Sequence, residues 1–168
     1  MHARTPDWIQ ARLFEGGIGL HNICVDVLHY VMLELGQPMH AYDADVVGDA
    51  LSVRFAQDDE CLESLQGDTL ALDSRTLVVC DANDNPRCIA GYMGDKLSSV
   101  SEKTSAIFLE AACFTSSQCA YHCRRYPQHT QSGSRFERGI DPAYTEEALA
   151  RAMRLLLDLA GGHARSLS

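Results

Sequence analysis

The chain has 168 residues, 46% of them hydrophobic, and its 23 acidic and 14 basic side chains give a formal net charge of −9. This length suits one well-formed core, so we expect a single domain over residues 1–168. The acidic balance argues against a free-standing, high-affinity nucleic-acid binder, because affinity for phosphate backbones depends on clustered lysine and arginine. No run of 18 apolar residues and no apolar signal core is present, which predicts a cytoplasmic protein without membrane insertion.

Two helices are predicted in the first 36 residues. In the first, over residues 5–15, Thr5 is a candidate cap, Pro6 occupies the first helical position and two glycines follow the last turn. In the second, Asn22 is the cap and Gly36 the stop. Its apolar face repeats at helical spacing and consists of Cys24, Val27, Leu28, Val31 and Leu35.

Residues 51–112 change to short apolar runs separated by turn residues, which is typical of strands. A last helix is predicted after Asp141 as cap and Pro142 as first residue, and it ends at Gly161. Its apolar stripe consists of Leu149, Ala152, Met153, Leu156, Leu159 and Ala160. On its solvent face Glu147 and Arg151 are spaced for an i,i+4 ion pair. Strands grouped between terminal helices predict an α+β domain with its helices on one side of the sheet.

The seven cysteines are odd in number and none is paired in C-x-x-C spacing, so we interpret them as reduced, mostly buried thiols. One alternative is a metal-binding module built on "CAYHC" and a nearby histidine, with Cys119, His122, Cys123 and His129 as ligands. Structural zinc normally shows paired ligands at both ends of its motif. Because that pairing is absent here, we expect no metal site.

Residues 128–141, "QHTQSGSRFERGID", combine basic and small polar residues just before the last predicted helix. Arg135 and Arg138 lie here, and Arg124 and Arg125 lie shortly before, so a local basic patch can coexist with the acidic total. Without other information, such a cluster is a solvated face with ion-pair partners.

Residues 25–43, "VDVLHYVMLELGQPMHAYD", resemble a signature of the bacterial phenylalanyl-tRNA synthetase beta subunit, whose typical form is V-D-V-T-N-Y-V-M-L-E-L-G-Q-P-M-H-A-F-D. Three further blocks follow in the family's order: "IAGYMG", "FLEAACF" and "SRFERGIDP". The resemblance covers nearly the whole chain and implies the editing domain (the B3/B4 module) of a longer subunit. It further implies a three-layer β/β/α sandwich, no cofactor, and two partners: the aminoacylated 3′ end of tRNA and the remainder of a synthetase with its alpha subunit.

The activity that the resemblance implies is hydrolysis of tyrosine wrongly attached to phenylalanine-specific tRNA. A pocket shaped for phenylalanine rejects a ligand with one added hydroxyl by only about a hundredfold. A second site that requires the hydroxyl discriminates better, because phenylalanine would leave a buried polar group unpaired. Ligation of phenylalanine by this chain alone is not expected, since no ATP-binding element is visible.

Carried across by motif, Glu110 matches the glutamate that accepts a hydrogen bond from the tyrosine phenol. Gly91 and Gly94 match glycines whose backbone lines the same pocket, where a side chain would block the ring. His40 and Thr130 match residues near the ester and are expected to place the attacking water. Considered individually, Glu110, His40 and Thr130 would each be ordinary structural residues.

Several departures from the family pattern cluster around this pocket. His29 replaces a usual asparagine and Leu28 a threonine, and we expect His29 to act as a substitute polar partner. Ser132 replaces an alanine that borders the tyrosine ring, and Gly133 a serine. The remaining differences are Asp95 in place of a glycine and Gly19 in place of an arginine. The alternative to residual editing is a non-catalytic, structural or tRNA-contacting domain with a degenerate pocket.

Overall fold

A computed structural model describes residues 3–126 and 128–165. Its helices are α1 (Asp7–Glu15), α2 (Ile23–Leu35), α3 (Ala44–Val47), α4 (Ser116–Arg125), α5 (Gln131–Arg138) and α6 (Thr145–Ala160), with a 3-10 turn over Pro142–Tyr144. Its strands are β1 (Met39–Asp43), β2 (Ser52–Phe55), β3 (Cys61–Glu63), β4 (Thr69–Ala71), β5 (Leu77–Cys80), β6 (Pro86–Ile89), β7 (Met93–Gly94) and β8 (Ile107–Ala111). The α+β prediction is confirmed. Within the described residues, no helix is long and apolar enough to cross a bilayer.

The strands form three antiparallel units. β1 and β8 pair as a two-stranded ribbon, β2-β5-β6-β7 form a four-stranded sheet, and β3 and β4 form a hairpin. β1 was not among the predicted strands, because its residues directly follow a helix stop and do not alternate cleanly between apolar and polar. Its partner β8 supplies the pairing that defines it.

The ribbon separates a helical layer from the four-stranded sheet. Ala41 and Leu109 are cross-strand partners, and both belong to the apolar cluster formed with α1, α2 and α6. The next pair, Tyr42 and Phe108, faces the other way and packs with residues of β5 and β6. Because side chains alternate across a strand, one face of the ribbon covers the helices and the other covers the sheet. The resulting order of layers is helices, ribbon, sheet.

The helices do not all lie on one side, contrary to the prediction. Buried His122 of α4 bonds through its ring to the Ala90 carbonyl, and Leu77 N–H donates to its Nε2. Both partners belong to the four-stranded sheet region. The α4 and α5 pair therefore packs against the sheet instead of joining the helical layer.

The caps of α2 are as predicted, and that of α1 is not. The Asn22 side chain accepts from Val25 N–H, and Gly36 ends α2 in the left-handed region at φ 77°. Pro6, however, occupies the cap position of α1 itself. The Thr5 hydroxyl donates instead to buried Asp26 over 2.6 Å and so ties the start of α1 to α2. The sequence cannot distinguish a local cap from this long-range partner.

The last helix differs from its prediction in three details. Asp141 caps the 3-10 turn, through Ala143 N–H, and α6 follows that turn. Arg151 pairs with Glu34 of α2 at 2.9 Å and not with Glu147, so the ion pair joins two helices. The buried face of α6 consists of Ala148, Ala152, Leu155 and Leu156. Met153, placed on the core stripe by its spacing, is exposed.

Candidate functional site

The β1-β8 ribbon brings His40 and Glu110 together. They are direct cross-strand partners, so their side chains lie on the same face. This is also the face of Tyr42, which points toward the four-stranded sheet. Two residues predicted from separate motifs are therefore neighbours between the ribbon and the sheet.

The His40 ring packs directly on the backbone of Gly94. A Cβ added at Gly94 would lie 2.5 Å from His40 Cε1 and 2.6 Å from Nε2, which leaves no room for a side chain. His40 Nε2 is buried and has no hydrogen-bond partner among the described residues. Burial lowers the pKa of His40 to about 4, against the weaker opposing effect of Asp95. The imidazole is therefore neutral at neutral pH and can accept a proton.

Glu110 accepts a hydrogen bond from within the protein. The Tyr42 hydroxyl donates to Glu110 Oε2 over 2.6 Å, and Tyr42 is fully buried. Burial raises the pKa of Glu110, while the bond from Tyr42 acts in the opposite direction. Burial also raises the pKa of the Tyr42 phenol well above its usual value, so the phenol remains the donor.

Tyr42 was not among the site residues predicted from the sequence. The signal was available, because the family signature ends in H-A-F-D, whereas this chain has His-Ala-Tyr-Asp at residues 40–43. The added hydroxyl is the group that the proposed tyrosine substrate also carries. Tyr42 therefore contacts the carboxylate that was expected to recognise a tyrosine phenol.

Thr130 is the N-cap of α5. Its hydroxyl oxygen accepts from Gly133 N–H over 2.9 Å, and a Cβ at Gly133 would lie 2.8 Å from that oxygen. The same Cβ would lie 3.2 Å from the ring of Tyr92, so the start of α5 packs on the chain segment that leads to Gly94. A hydroxyl that accepts one bond keeps its own hydrogen to donate.

Within the described part of the chain, two arginines of the basic cluster, Arg135 and Arg138, lack the ion-pair partners that a solvated face was expected to supply. Arg135, Glu137 and Arg138 lie on a regular helix and not on a loop. Among the described residues, neither arginine forms an ion pair with a carboxylate. Arg135 donates to Gln131, one turn earlier, through contacts of 2.7 and 3.1 Å.

The two pocket glycines have different neighbours. A Cβ at Gly91, which has φ +67°, would lie 2.9 Å from Phe114 and 3.1 Å from Phe136. Those two rings contact each other edge to face at a centroid distance of 5.4 Å. Gly91 therefore fits against an aromatic pair, while Gly94 fits against His40. Gly91 lies in the turn between β6 and β7, and Gly94 is the last residue of β7, so this hairpin connects the His40 side to the α5 side.

His29 lies on α2, and Ser132 lies on α5. Ser132 is half-buried in the first turn of α5. His29 Nδ1 is buried and has no hydrogen-bond partner among the described residues. Burial lowers the pKa of His29, and the nearby positive charges of His21 and Arg135 lower it further, against Asp26. His29 therefore lies close enough to Arg135 of α5 to be affected by its charge.

The residues considered as alternative metal ligands include His122, whose ring takes part in the packing of α4 on the sheet. Both ring nitrogens of His122 are engaged in hydrogen bonds, to Ala90, Leu77 and Gln118. In the part of the chain that the structure describes, no group of three or more His, Cys, Asp and Glu side chains could hold a metal ion. The ring of His122 is thus a structural link between α4 and the sheet.

The helical layer and the ribbon define the class of domain, together with His40 and Glu110 on one face of the ribbon and Gly94 packed against the His40 ring. The chain belongs to the B3/4 domain family, whose model matches residues 1–161. It is 45% identical over 165 residues to the phenylalanine–tRNA ligase beta subunit of Xylella fastidiosa (strain Temecula1), covering 98% of this chain and 21% of that protein. It is 45% identical over 161 residues to the same subunit of Nitrosococcus oceani, covering 96% and 20%.

A third relative, the phenylalanine–tRNA ligase beta subunit of Legionella pneumophila (strain Lens), is 43% identical over 162 residues, which cover 96% of this chain and 20% of that protein. The resemblance inferred from the four motifs is thus confirmed. The chain spans about a fifth of the length of these curated relatives.

Proposed function

We propose that this domain hydrolyses the ester between tyrosine and phenylalanine-specific tRNA, as an editing site. The observation that carries the proposal is the pairing of a half-buried carboxylate, Glu110, with a neutral histidine, His40, on one face of the ribbon. Gly94, which packs against the His40 ring, leaves space that any larger residue at this position would take from His40.

Glu110 would select the substrate. A carboxylate has two oxygens and about four acceptor positions, so it can receive a ligand phenol in addition to the Tyr42 hydroxyl. Phenylalanine has no hydroxyl for this position and would leave a desolvated acceptor without a partner. That deficit costs about 1–3 kcal/mol, or roughly tenfold per 1.4 kcal/mol.

His40 and Thr130 would assist the chemistry. Water adds through its oxygen to the ester carbonyl carbon, and neutral His40 accepts the proton that water loses. The bond between that carbon and the ribose oxygen then breaks, the ribose oxygen takes up a proton, and free tyrosine departs. The Thr130 hydroxyl hydrogen would orient the water or the carbonyl, since positioning supplies much of the barrier reduction for an ester.

The wider setting of the activity is also proposed. The relatives are beta subunits of a tRNA ligase, so we propose that this domain acts with tRNA, with the remainder of such a subunit and with an alpha subunit, in the cytoplasm. One observation favours the non-catalytic alternative. The Tyr42 hydroxyl already occupies Glu110, as a ligand phenol would, which is compatible with a degenerate pocket.

The deciding experiment measures release of amino acid from tyrosine-charged and phenylalanine-charged tRNA. We expect release of tyrosine above the buffer rate and a preference for tyrosine over phenylalanine. Glu110→Gln should reduce that preference about tenfold or more, while His40→Gln should slow release of both by on the order of 10²-fold. Glu63→Gln is the matched control, because Glu63 is an exposed carboxylate paired with Lys96.

Thermal unfolding of each variant establishes that the fold is retained. No tyrosine release above buffer, even with the domain fused to the rest of a synthetase, would reject the hydrolytic function. Unchanged selectivity in Glu110→Gln would remove Glu110 from the selection step.

A further inference from the structure

A pocket of about 350 Å³ lies where the end of α2 meets the end of α5 and the turn that follows it. Its lining includes Gln37, Arg135, Arg138 and Asp141. The two arginines belong to the stretch whose concentration of basic residues the editing chemistry does not use. They therefore need a separate explanation.

Among the described residues, neither guanidinium group forms an ion pair with a carboxylate. Arg135 is half-buried and Arg138 is exposed. Burial lowers the pKa of Arg135, and the nearby charge of Arg138 lowers it further. Two like charges close together are unfavourable unless an anion joins them. In an acidic chain with 23 carboxylate side chains, this concentration of unpaired positive charge is distinctive.

Asp141 also lines the pocket, but it serves the backbone. Its Oδ1 accepts from Ala143 N–H over 3.0 Å and caps the 3-10 turn. Even with this carboxylate included, two guanidinium groups leave the pocket with a net positive charge. An entering anion would meet a surplus of donors.

The pocket adjoins the proposed editing site. Gln37 Nε2 donates to the carbonyls of Pro38 and Ala112 over 2.8 and 2.9 Å, which places Gln37 at the end of the β1-β8 ribbon. His40 and Glu110 lie on the same ribbon, one pair further along than Met39 and Ala111. The charge of Arg135 also affects His29 of α2. An RNA strand whose 3′ end reaches His40 and Glu110 on the ribbon would pass this pocket.

We propose that Arg135 and Arg138 bind a phosphodiester of the RNA strand that carries the aminoacyl ester, an inference that rests on the proposed function. An arginine fork matches phosphate oxygens through two parallel N–H bonds, whereas a lysine offers a point charge. A phosphate in this pocket would supply the counter-charge that the arginines lack. The contact would hold the strand and leave selection of the amino acid to Glu110.

The test measures the dissociation constant of uncharged phenylalanine-specific tRNA against KCl concentration. Each phosphate contact to single-stranded RNA contributes about 0.7 to the slope of log K against log salt. We expect Arg138→Gln to weaken binding and to reduce that slope by about 0.7. Arg154→Gln is the matched control, because it removes the same charge from an exposed arginine that pairs with Asp158 on α6. It should leave the slope unchanged.

Further arms of the experiment separate the possible outcomes. Arg138→Lys should restore most of the slope and only part of the affinity, since the charge remains and the fork is lost. With tRNA lacking its single-stranded 3′ end, wild type and Arg138→Gln should have equal slopes. If they still differ, or if Arg138→Gln behaves like Arg154→Gln on intact tRNA, the proposal is overturned.

Inorganic phosphate, titrated at constant ionic strength, tests for a site that serves a small anion. Millimolar phosphate binding that depends on Arg138, together with RNA binding that does not, would overturn the RNA assignment. Binding of uncharged tRNA involves no hydrolysis. A chain that shows the Arg138 effect and releases no tyrosine would thus contradict the editing function alone, and the reverse result would contradict only this site.

Discussion

The hydrogen bond from the Tyr42 hydroxyl satisfies the Glu110 carboxylate within the protein. A buried carboxylate is costly unless it is hydrogen-bonded, and Tyr42 supplies that bond at 2.6 Å. Among the described residues His40, its cross-strand neighbour, has a buried ring nitrogen without a partner. The site therefore combines one satisfied polar group with one unsatisfied group that is free to act on a ligand.

Removing the Tyr42 hydroxyl should destabilise the fold. Because a hydrogen bond to a charged group contributes about 1.5–3 kcal/mol, Tyr42→Phe should lower the free energy of unfolding by that amount, measured by urea denaturation. Tyr144→Phe is the control, since Tyr144 is exposed and its loss should change stability by less than about 0.5 kcal/mol. Equal stability of Tyr42→Phe and wild type would show that the bond contributes nothing.

The buried His40 should make stability depend on pH. Its pKa is about 4 in the folded chain and about 6.5 when unfolded, so between these values the unfolded state binds the extra proton. The free energy of unfolding should therefore fall by up to about 3 kcal/mol as pH drops from 6.5 to 4. Denaturant titrations across this range should show a weaker dependence in His40→Gln. The dependence should persist in part, because burial also lowers the pKa of His29 and His122.

His163→Gln provides the comparison for that measurement, since His163 is an exposed residue beyond α6. It should retain the full pH dependence. A His40→Gln curve that parallels the wild-type curve from pH 6.5 to 4 would contradict a depressed His40 pKa.

At the scale of the element, α5 decides where Thr130 lies. The helix has only eight residues and contains a glycine and two serines, so its intrinsic helix propensity is low. Buried Phe136 and the tight packing of Gly133 on Tyr92 hold it in place. No helix was predicted here from the sequence, because the stabilising contacts come from elsewhere in the chain.

The cap and the proposed chemistry at Thr130 can be separated by substitution. Thr130→Ala should lower the free energy of unfolding by about 0.5–2 kcal/mol through loss of the N-cap. Thr130→Asn keeps a good cap and removes the hydroxyl, so stability should be retained while tyrosine release falls on the order of 10- to 100-fold. Thr130→Ser should preserve both properties. If the Asn variant hydrolyses at the wild-type rate, Thr130 acts only as a cap.

At the scale of the whole molecule, all seven cysteines are free, and their environments differ sharply. Cys61 and Cys113 are exposed, Cys123 is intermediate and the other four are buried. Burial raises the pKa of Cys24 and of Cys119 to about 12. Because the thiolate is the reactive form, buried neutral thiols react slowly.

Thiol reactivity should therefore report the integrity of the fold. In native buffer, a chromogenic disulfide reagent should modify two thiols rapidly, Cys123 more slowly, and the remaining four only on the timescale of unfolding. The Cys61→Ser, Cys113→Ser double variant should lose the rapid phase alone. Rapid reaction of six or seven thiols in native buffer would contradict the described core.

The amino-acid sequence by itself determined the family, the α+β class and the α2 helix, because these depend on local signals. Asn22 and Gly36 act through their own backbone neighbourhood, and the apolar spacing of α2 needs no knowledge of its partner. Three of the motifs likewise predicted His40, Glu110 and Gly94 as site residues, and the neighbouring segment "QHTQS" added Thr130 to that prediction.

Only the tertiary structure decided how His40, Glu110 and Gly94 meet. The pairing of β1 with β8 set His40 opposite Glu110, and the close approach of Gly94 fixed the position of the imidazole. Long-range partners also replaced the expected local ones. Thr5 donates to Asp26 and is not a helix cap, and Arg151 pairs with Glu34 and not with Glu147. Glu110 accepts its hydrogen bond from Tyr42. Such contacts join positions that are distant along the chain. Their choice depends on geometry that emerges only when the layers pack, so no local pattern can specify them.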